Sequence, residues 1–242
     1  MPSEIDLYGG KEPEDAPAYA VRDVAHILNI PTSTLRSWLY GQAYTSQDGT
    51  PQHFKALIAA QHKQRGDALS FMELVEAHVL TSLRRQHFVR MHDIRRALEK
   101  ILEQTPNANH PLAEKQFAVL GKNLFIEETV KLTSITRDGQ QALKTLLDGS
   151  LKRIQRNPSG HAIVLFPFPR SFRGDASPPK SIVVNPRIAY GRPVLAGTRI
   201  PTAVIAERVA TGETLDEVAE DYDRSAAEIL EAIRWELAAS AA

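Results

Sequence analysis

Residues 19–40, Tyr19-Ala-Val-Arg-Asp-Val-Ala-His-Ile-Leu-Asn-Ile-Pro-Thr-Ser-Thr-Leu-Arg-Ser-Trp-Leu-Tyr40, decide how the front of this chain folds. Val21, Val24, Ala25 and Leu28 recur at the spacing that places apolar side chains on one helix face, and Asn29-Ile30-Pro31 interrupts it. The periodicity resumes with Leu35, Trp38 and Leu39 and stops at Gly41, a residue suited to closing a helix. Two short helices about a tight turn form a helix-turn-helix. Thr32, Ser33, Thr34, Arg36 and Ser37 fill the polar positions of the second helix. A recognition helix needs such side chains. Arg can take guanine O6 and N7 together, and Ser or Thr reaches a phosphate or a base edge. Arg22 and the basic connector holding Lys63 and Arg65 are further candidate DNA contacts. A helical hairpin that never meets DNA has the same apolar pattern, so the pair alone leaves both readings open.

Outward from the pair, Gln42–Pro51 is polar with an Asp48-Gly49 turn, and His53–Ile58 reads as a strand. Ser70-Phe-Met-Glu73 has the form of a capping box and opens a helix with Phe71, Leu74, Val75, His78, Val79 and Leu83 on one face. A further helix follows His87–Arg90, with Met91, Ile94, Leu98, Ile101 and Leu102 as its stripe. Phe117–Leu120 and Asn123–Ile126 flank Gly121-Lys122, which predicts a hairpin. A helix is expected around Gln140–Gln155, and a short buried strand at Ile163–Phe168. Pro167, Pro169, Gly174, Ser177, Pro178 and Pro179 mark a linker. Beyond it Ser181–Val184 is strand-like, 185–200 is a run of short extended pieces and turns, and three helices follow. The last two open with the boxes Thr214-Leu-Asp-Glu217 and Ser225-Ala-Ala-Glu228.

The predicted fold is therefore mainly α, with an N-terminal winged helix-turn-helix, a helix-plus-hairpin middle region, and a C-terminal trihelical domain with short strands at its start. The boundaries are a flexible tail at 1–16, the DNA-binding domain at 17–104, the middle at 105–169, the linker at 170–179 and the C-terminal domain at 180–242.

The 242 residues suffice for a sizeable core, and 43% hydrophobic with 24% charged is an ordinary globular balance. No apolar run approaches the roughly 18 residues of a membrane span, and the first residues lack the pattern of a signal peptide. With no cysteine, disulfides, zinc fingers and thiol nucleophiles are excluded, and a cytoplasmic location is expected. No His-Glu-x-x-His or comparable spacing occurs, and His26 and His78 sit within helical stripes as packed residues. Gly191–Thr198 lacks the Gly-Lys-Ser/Thr ending of a phosphate loop. The acids of Glu213–Asp223 spread around a helix, as on a solvated face. No enzyme, no metal and no cofactor is expected.

Net charge is zero, but its distribution is uneven. Residues 17–104 hold 11 Lys/Arg against 8 Asp/Glu. Residues 180–200 hold Lys180, Arg187, Arg192 and Arg199 with no acid, while 207–242 hold three arginines against 10 acids. Such segregation suits different partners for different segments. Intradomain pairing of the arginines with the acidic helices beside them is the competing expectation.

Two resemblances sharpen this. Residues 19–104 resemble the winged helix-turn-helix domain of the MerR family, through the quoted Tyr19–Trp38 run and Leu83-Arg-Arg-Gln-His-Phe-Val-Arg-Met-His-Asp-Ile-Arg-Arg-Ala-Leu98. Pro31 replaces that family's small polar cap, and no coiled coil with effector cysteines follows, so its sensor role does not carry over. Residues 180–238 resemble a small domain of VapB-like antitoxins, through Val183–Thr202 and Gly212–Tyr222. That resemblance implies a PIN-like ribonuclease toxin as partner, operator DNA as a second one, and autorepression, with a homodimer expected on a symmetric operator.

A PIN-like site is a cluster of metal-holding carboxylates, and guanidinium engages carboxylates bidentately. Arg187, Arg192 and Arg199 are thus the expected toxin contacts, with Tyr190 as aromatic anchor. The third C-terminal helix carries Glu228, Glu231 and Glu236 and is a poor reader of phosphate-rled grooves. Two alternatives remain open at this point: a regulator whose middle region binds a small molecule, and an adaptor whose front helices bind protein.

Overall fold

The computed structural model describes residues 10–45, 49–58, 68–84, 91–104, 109–132, 136–170 and 178–237. Lys63 and Arg65, residues 1–9 of the expected tail, Asp48 and 171–177 of the expected linker lie outside them.

Helices α1 (Val21–Leu28) and α2 (Thr32–Tyr40) form the predicted pair, with Val24, Ala25, Leu28, Leu35, Trp38 and Leu39 buried. The turn closes on Asn29, which adopts the left-handed conformation (φ 53°), and the Ile30 amide donates to the Ala25 carbonyl at 3.0 Å. Asn tolerates that backbone better than most residues. Gly41 ends α2 at φ 73°, and a Cβ there would lie 2.3 Å from the Phe54 carbonyl oxygen. Only glycine fits.

Strands β1 (Gln42–Thr45) and β2 (Pro51–Phe54) then form the wing, antiparallel, with Gln42 opposite Phe54. The expected strand at 53–58 ends at Phe54. Leu57 and Ile58 instead turn under α2, their amides donating to the Trp38 carbonyl at 2.7 and 3.1 Å. A helix end with unsatisfied carbonyls competes successfully for those donors.

Helix α3 (Phe71–Arg84) opens with the expected box: the Ser70 amide donates to the Glu73 carboxylate at 2.7 Å, and the Glu73 amide to the Ser70 hydroxyl at 3.3 Å. Every residue of α3 but Arg84 is buried, so this helix is the central post. His78 is the packed histidine expected, its ring stacked on Phe168 and its Nε2 3.3 Å from the Ser150 carbonyl. Buried Glu76 accepts from the His110 imidazole at 3.1 Å. Helix α4 (Met91–Gln104) follows, burying Ile94, Leu98 and Ile101.

The hairpin expected at Gly121-Lys122 is absent. A π-helical turn (Phe117–Gly121) runs straight into α5 (Lys122–Leu132). Phe117, Gly121, Phe125 and Thr129 are buried at every fourth position, a helical spacing that overrides the turn signal of the dipeptide. Gly121 serves close packing: a Cβ there would meet the Phe117 ring at 2.8 Å.

Helix α6 (Arg137–Leu151) stops short of the expected end at Gln155, and Ile154 begins β3 (Ile154–Arg156) instead. β3 pairs antiparallel with β4 (Ala162–Leu165), so the middle region does hold a hairpin, further along the chain.

Arg153, 3% exposed, sits between α6 and β3. Its guanidinium donates to the carbonyls of Phe166 (2.7 Å), Pro167 (2.8 Å), Pro178 (2.8 Å) and Pro179 (2.9 Å), and it lies over the Phe168 ring. Both ends of the predicted linker are therefore tied to one buried cation.

In the C-terminal part, β5 (Ile182–Val183) pairs with β6 (Val194–Leu195), and Val184 exchanges backbone hydrogen bonds with Leu165 of β4. Helices α7 (Thr202–Ala210), α8 (Leu215–Asp221) and α9 (Ala226–Leu237) pack pairwise around buried Ile205, Val218, Ile229 and Trp235. Both expected capping boxes form.

One apolar core runs from Tyr19 to Trp235, across the boundaries drawn from sequence. Nor is 10–16 a loose tail. It is a turn with Pro13, Glu14 and Ala16 buried, and the Glu14 carbonyl accepts from the Met72 amide at 3.1 Å. No helix among the described residues is long and apolar enough to cross a membrane.

Replacing Arg153 by Met would strand four carbonyls, each costing about 1 kcal/mol or more when left unsatisfied. Urea unfolding should show a loss of about 3 kcal/mol or more for Arg153→Met, with Arg153→Lys in between because an ammonium cannot reach all four.

Candidate nucleic-acid interface

Burial of Leu35, Trp38 and Leu39 fixes which side of α2 faces out. Ser33 and Arg36 are exposed, Thr32, Thr34 and Ser37 half-buried, and Arg22 projects from the first turn of α1. Ser33, Thr34, Arg36 and Ser37 line a concave surface with Arg22, Tyr40 and Gln42. The structure thus brings Arg22, Ser33, Thr34, Arg36 and Ser37 of the predicted DNA set together on one surface, with Thr32 in the neighbouring cleft.

Sequence reading missed two supports of this face. Arg84, at the end of α3, donates to the Thr34 hydroxyl at 2.7 Å, fixing a side chain of α2 from 50 positions away. Arg95 of α4 lies 5.0 Å from the centroid of the Phe54 ring and donates to the Lys55 carbonyl at 2.8 Å. Phe54 in turn stacks on Tyr44, centroids 4.1 Å apart, so the wing is anchored to α4 through its own aromatic pair. Neither link leaves a local signal, since each joins segments distant in sequence.

The expected toxin set is divided. Arg187 is paired within the chain: its Nε donates to Glu14 at 3.0 Å and its Nη2 to Glu12 at 2.9 Å. Glu14 is 2% exposed, and a buried carboxylate needs a cation. The hydrogen bond from Glu14 comes first among the causes that raise the Arg187 pKa. Pairing with the C-terminal acids is not what occupies it; the acids come from residues 12 and 14. Tyr190, Arg192 and Arg199 are exposed. Tyr190 and Arg192 line a cleft of about 1300 Å³ together with Arg22, Thr32 and Ser33, whereas Arg199 lies outside it.

The acidic C-terminal segment is largely self-satisfied. Arg208 pairs with Glu213 and Asp221 and lies over the Tyr222 ring, and Glu217 and Glu228 serve as caps. Among the described residues, no group of three or more His, Asp or Glu side chains could hold a metal ion.

Arg170 fastens α1 to α9. Its guanidinium donates to the His26 carbonyl at 2.6 Å and the Trp235 carbonyl at 3.4 Å and stacks over the Trp235 ring at 4.2 Å, while its amide donates to Glu231 at 2.8 Å. Two helix C-termini thus share one cation, the charge their dipoles favour. Burial, with the Arg170 charge, pushes the His26 imidazole below its ordinary value. At His110 burial acts the same way, but the hydrogen bond and charge of Glu76, helped by Glu73 and Asp15, outweigh it and raise the pKa.

With this geometry in view, the chain is a helix-turn-helix protein joined to a small trihelical C-terminal part. Residues 17–98 match a family described as "Putative DNA-binding HTH domain", and residues 182–235 one described as "Protein of unknown function (DUF433)". The chain is 26% identical over 222 residues to "Putative antitoxin VapB45" of Mycobacterium tuberculosis (strain ATCC 25618 / H37Rv), spanning 86% of this chain and 89% of that one. It is 24% identical over 233 residues to "Uncharacterized protein Rv2308" of the same organism, spanning 91% and 90%. The crystal structure of Rv2018 from Mycobacterium tuberculosis shares the fold, with a TM-score of 0.63 and 22% identity over 90% of this chain and 98% of that one.

The opposite directions at His26 and His110 give a pH signature. Folded His26 stays neutral below pH about 6.5, so its contribution to stability is lost as pH falls. His110 holds its proton above that value, so its contribution is lost as pH rises. An NMR titration should place His26 below the ordinary imidazole range and His110 above it.

Proposed function

We propose that this protein is the antitoxin of a toxin–antitoxin pair, that it binds a PIN-like ribonuclease toxin, and that it represses its own operon through the MerR-like helix-turn-helix. It is not an enzyme in this reading; its work is recognition. The single observation that carries the DNA half is the exposed polar face of α2 beside Arg22 and an anchored wing. The helix side chains suit the major groove, and the rigid scaffold behind them supplies the precision that base reading requires. The likeness to VapB45 over most of both chains supports the antitoxin half. A homodimer on a two-fold operator completes the reading.

For the toxin, Arg187 would have to exchange its pairs with Glu12 and Glu14 for the partner's carboxylates. Tyr190, Arg192 and Arg199 remain exposed in the segment held by Pro186, Pro193 and Pro201, which loses little freedom on docking. Arg199, outside the cleft, is the cation assigned here to the metal-holding carboxylates of a ribonuclease.

Two measurements test this. Arg36→Ala should weaken binding to the duplex upstream of the protein's own reading frame by about 1–3 kcal/mol and relax preference at one base position; equal loss on every sequence would make Arg36 a phosphate contact instead. Co-expression of the full chain with the product of the adjacent reading frame should yield a complex in which RNA cleavage is suppressed. Arg199→Ala should restore part of that cleavage. Absence of any complex would sink the antitoxin reading while leaving DNA repression standing.

A further inference from the structure

The turn at 188–192 is built unusually. Ala189 (φ 49°), Tyr190 (φ 55°) and Gly191 (φ 76°) are consecutive left-handed residues, and the first two are not glycine. Such backbone is costly and persists only where the surroundings impose it. Here Gly191 presses on the ring of Tyr19: a Cβ at 191 would lie 2.2 Å from the Tyr19 hydroxyl oxygen. Tyr19 itself bridges to Leu69 and leads into α1. The turn is thus seated on the helix-turn-helix, and it leaves Tyr190 78% exposed with Arg192 beside it. Both side chains line one cleft with Arg22, Pro31, Thr32 and Ser33. Two carboxylates share the cleft with these cations: Asp23 lies 3.4 Å from Arg22, and Glu236 accepts from the Thr202 hydroxyl at 2.5 Å.

We propose that Tyr190 and Arg192 serve the operator: the C-terminal part reaches across the cleft and grips the DNA phosphate backbone next to the α2 recognition face. The proposal rests on the reading that α2 enters the duplex, and it extends the DNA contact beyond the helix-turn-helix. A guanidinium and a phenol are phosphate partners, and backbone contacts flanking a recognition helix fix its register without reading sequence. The strained turn supplies what such a clamp needs, a fixed position relative to α2. Arg199, equally exposed but outside the cleft, takes no part in it.

The experiment is a salt series of fluorescence-anisotropy titrations with the full chain and the duplex upstream of its own reading frame. Arg192→Ala should reduce the slope of log K against log salt by about 0.9 and weaken binding about five- to tenfold at moderate salt, with base preference unchanged. Tyr190→Asn, which keeps a residue tolerant of the left-handed backbone, should weaken binding a few-fold. Arg199→Ala should match the wild type. A wild-type slope for Arg192→Ala, in a protein whose binding still responds to Arg36→Ala, overturns this proposal alone. So does an Arg192→Ala protein that binds DNA normally but no longer captures the product of the adjacent reading frame. No duplex binding by the wild type overturns the underlying reading as well.

Discussion

One buried guanidinium holds the chain's long connection in place. Arg153 gathers carbonyls from Phe166 and Pro167 on one side and Pro178 and Pro179 on the other. Prolines lack an amide to offer a sheet, and their carbonyls still demand donors. A planar five-donor fork answers that demand where an apolar core residue could not. Residues 166–167 and 178–179 are held at one point, so both the middle hairpin and β5 have fixed starting points. Arg170 repeats the device three residues beyond Pro167, joining the ends of α1 and α9. With the shared apolar core, these two cations fix the position of the α1–α2 pair relative to the C-terminal helices.

Much of the charge on the described residues is likewise paired within the chain. Six of the ten acids in 207–242 cap α8 or α9 (Glu217, Glu228), hold Arg208 (Glu213, Asp221), or accept from the Arg170 amide and the Thr202 hydroxyl (Glu231, Glu236). Arg187 neutralises a buried glutamate from the far end of the chain. What stays uncommitted on the described surface includes Arg36, Arg192 and Arg199, and that small remainder carries the proposals for partners.

Local order was legible. The α1–α2 pair, the Gly41 stop, all three capping boxes and the packed His78 could be read because each depends on residues within a turn or two of one another. Non-local choices were not. Gly121-Lys122 has the chemistry of a hairpin, yet the packing of Phe117 and Phe125 against neighbouring helices kept it helical. Ile154 continues the α6 stripe, but Arg153 needs the chain to turn there. The candidate site divided along the same line: the polar face of α2 followed from its own spacing, whereas Arg84 on Thr34 and Glu14 on Arg187 join residues whose pairing no local pattern encodes. Proline density marked the segment, but the grip of Arg153 on the carbonyls at 166–167 and 178–179 joins residues that no local pattern pairs.

The ion pair between Glu14 and Arg187 spans 173 positions. During synthesis, at about 5–20 residues per second, the acidic turn at the front waits roughly ten to thirty seconds for its cation to be made. Tyr19 likewise waits for Gly191 before its ring is covered. A nascent chain therefore assembles α1, α2 and the wing well before the last third of the polypeptide can dock on them. The two ends of the molecule complete one another late, and a chain interrupted before residue 187 would expose a buried carboxylate with no counter-charge.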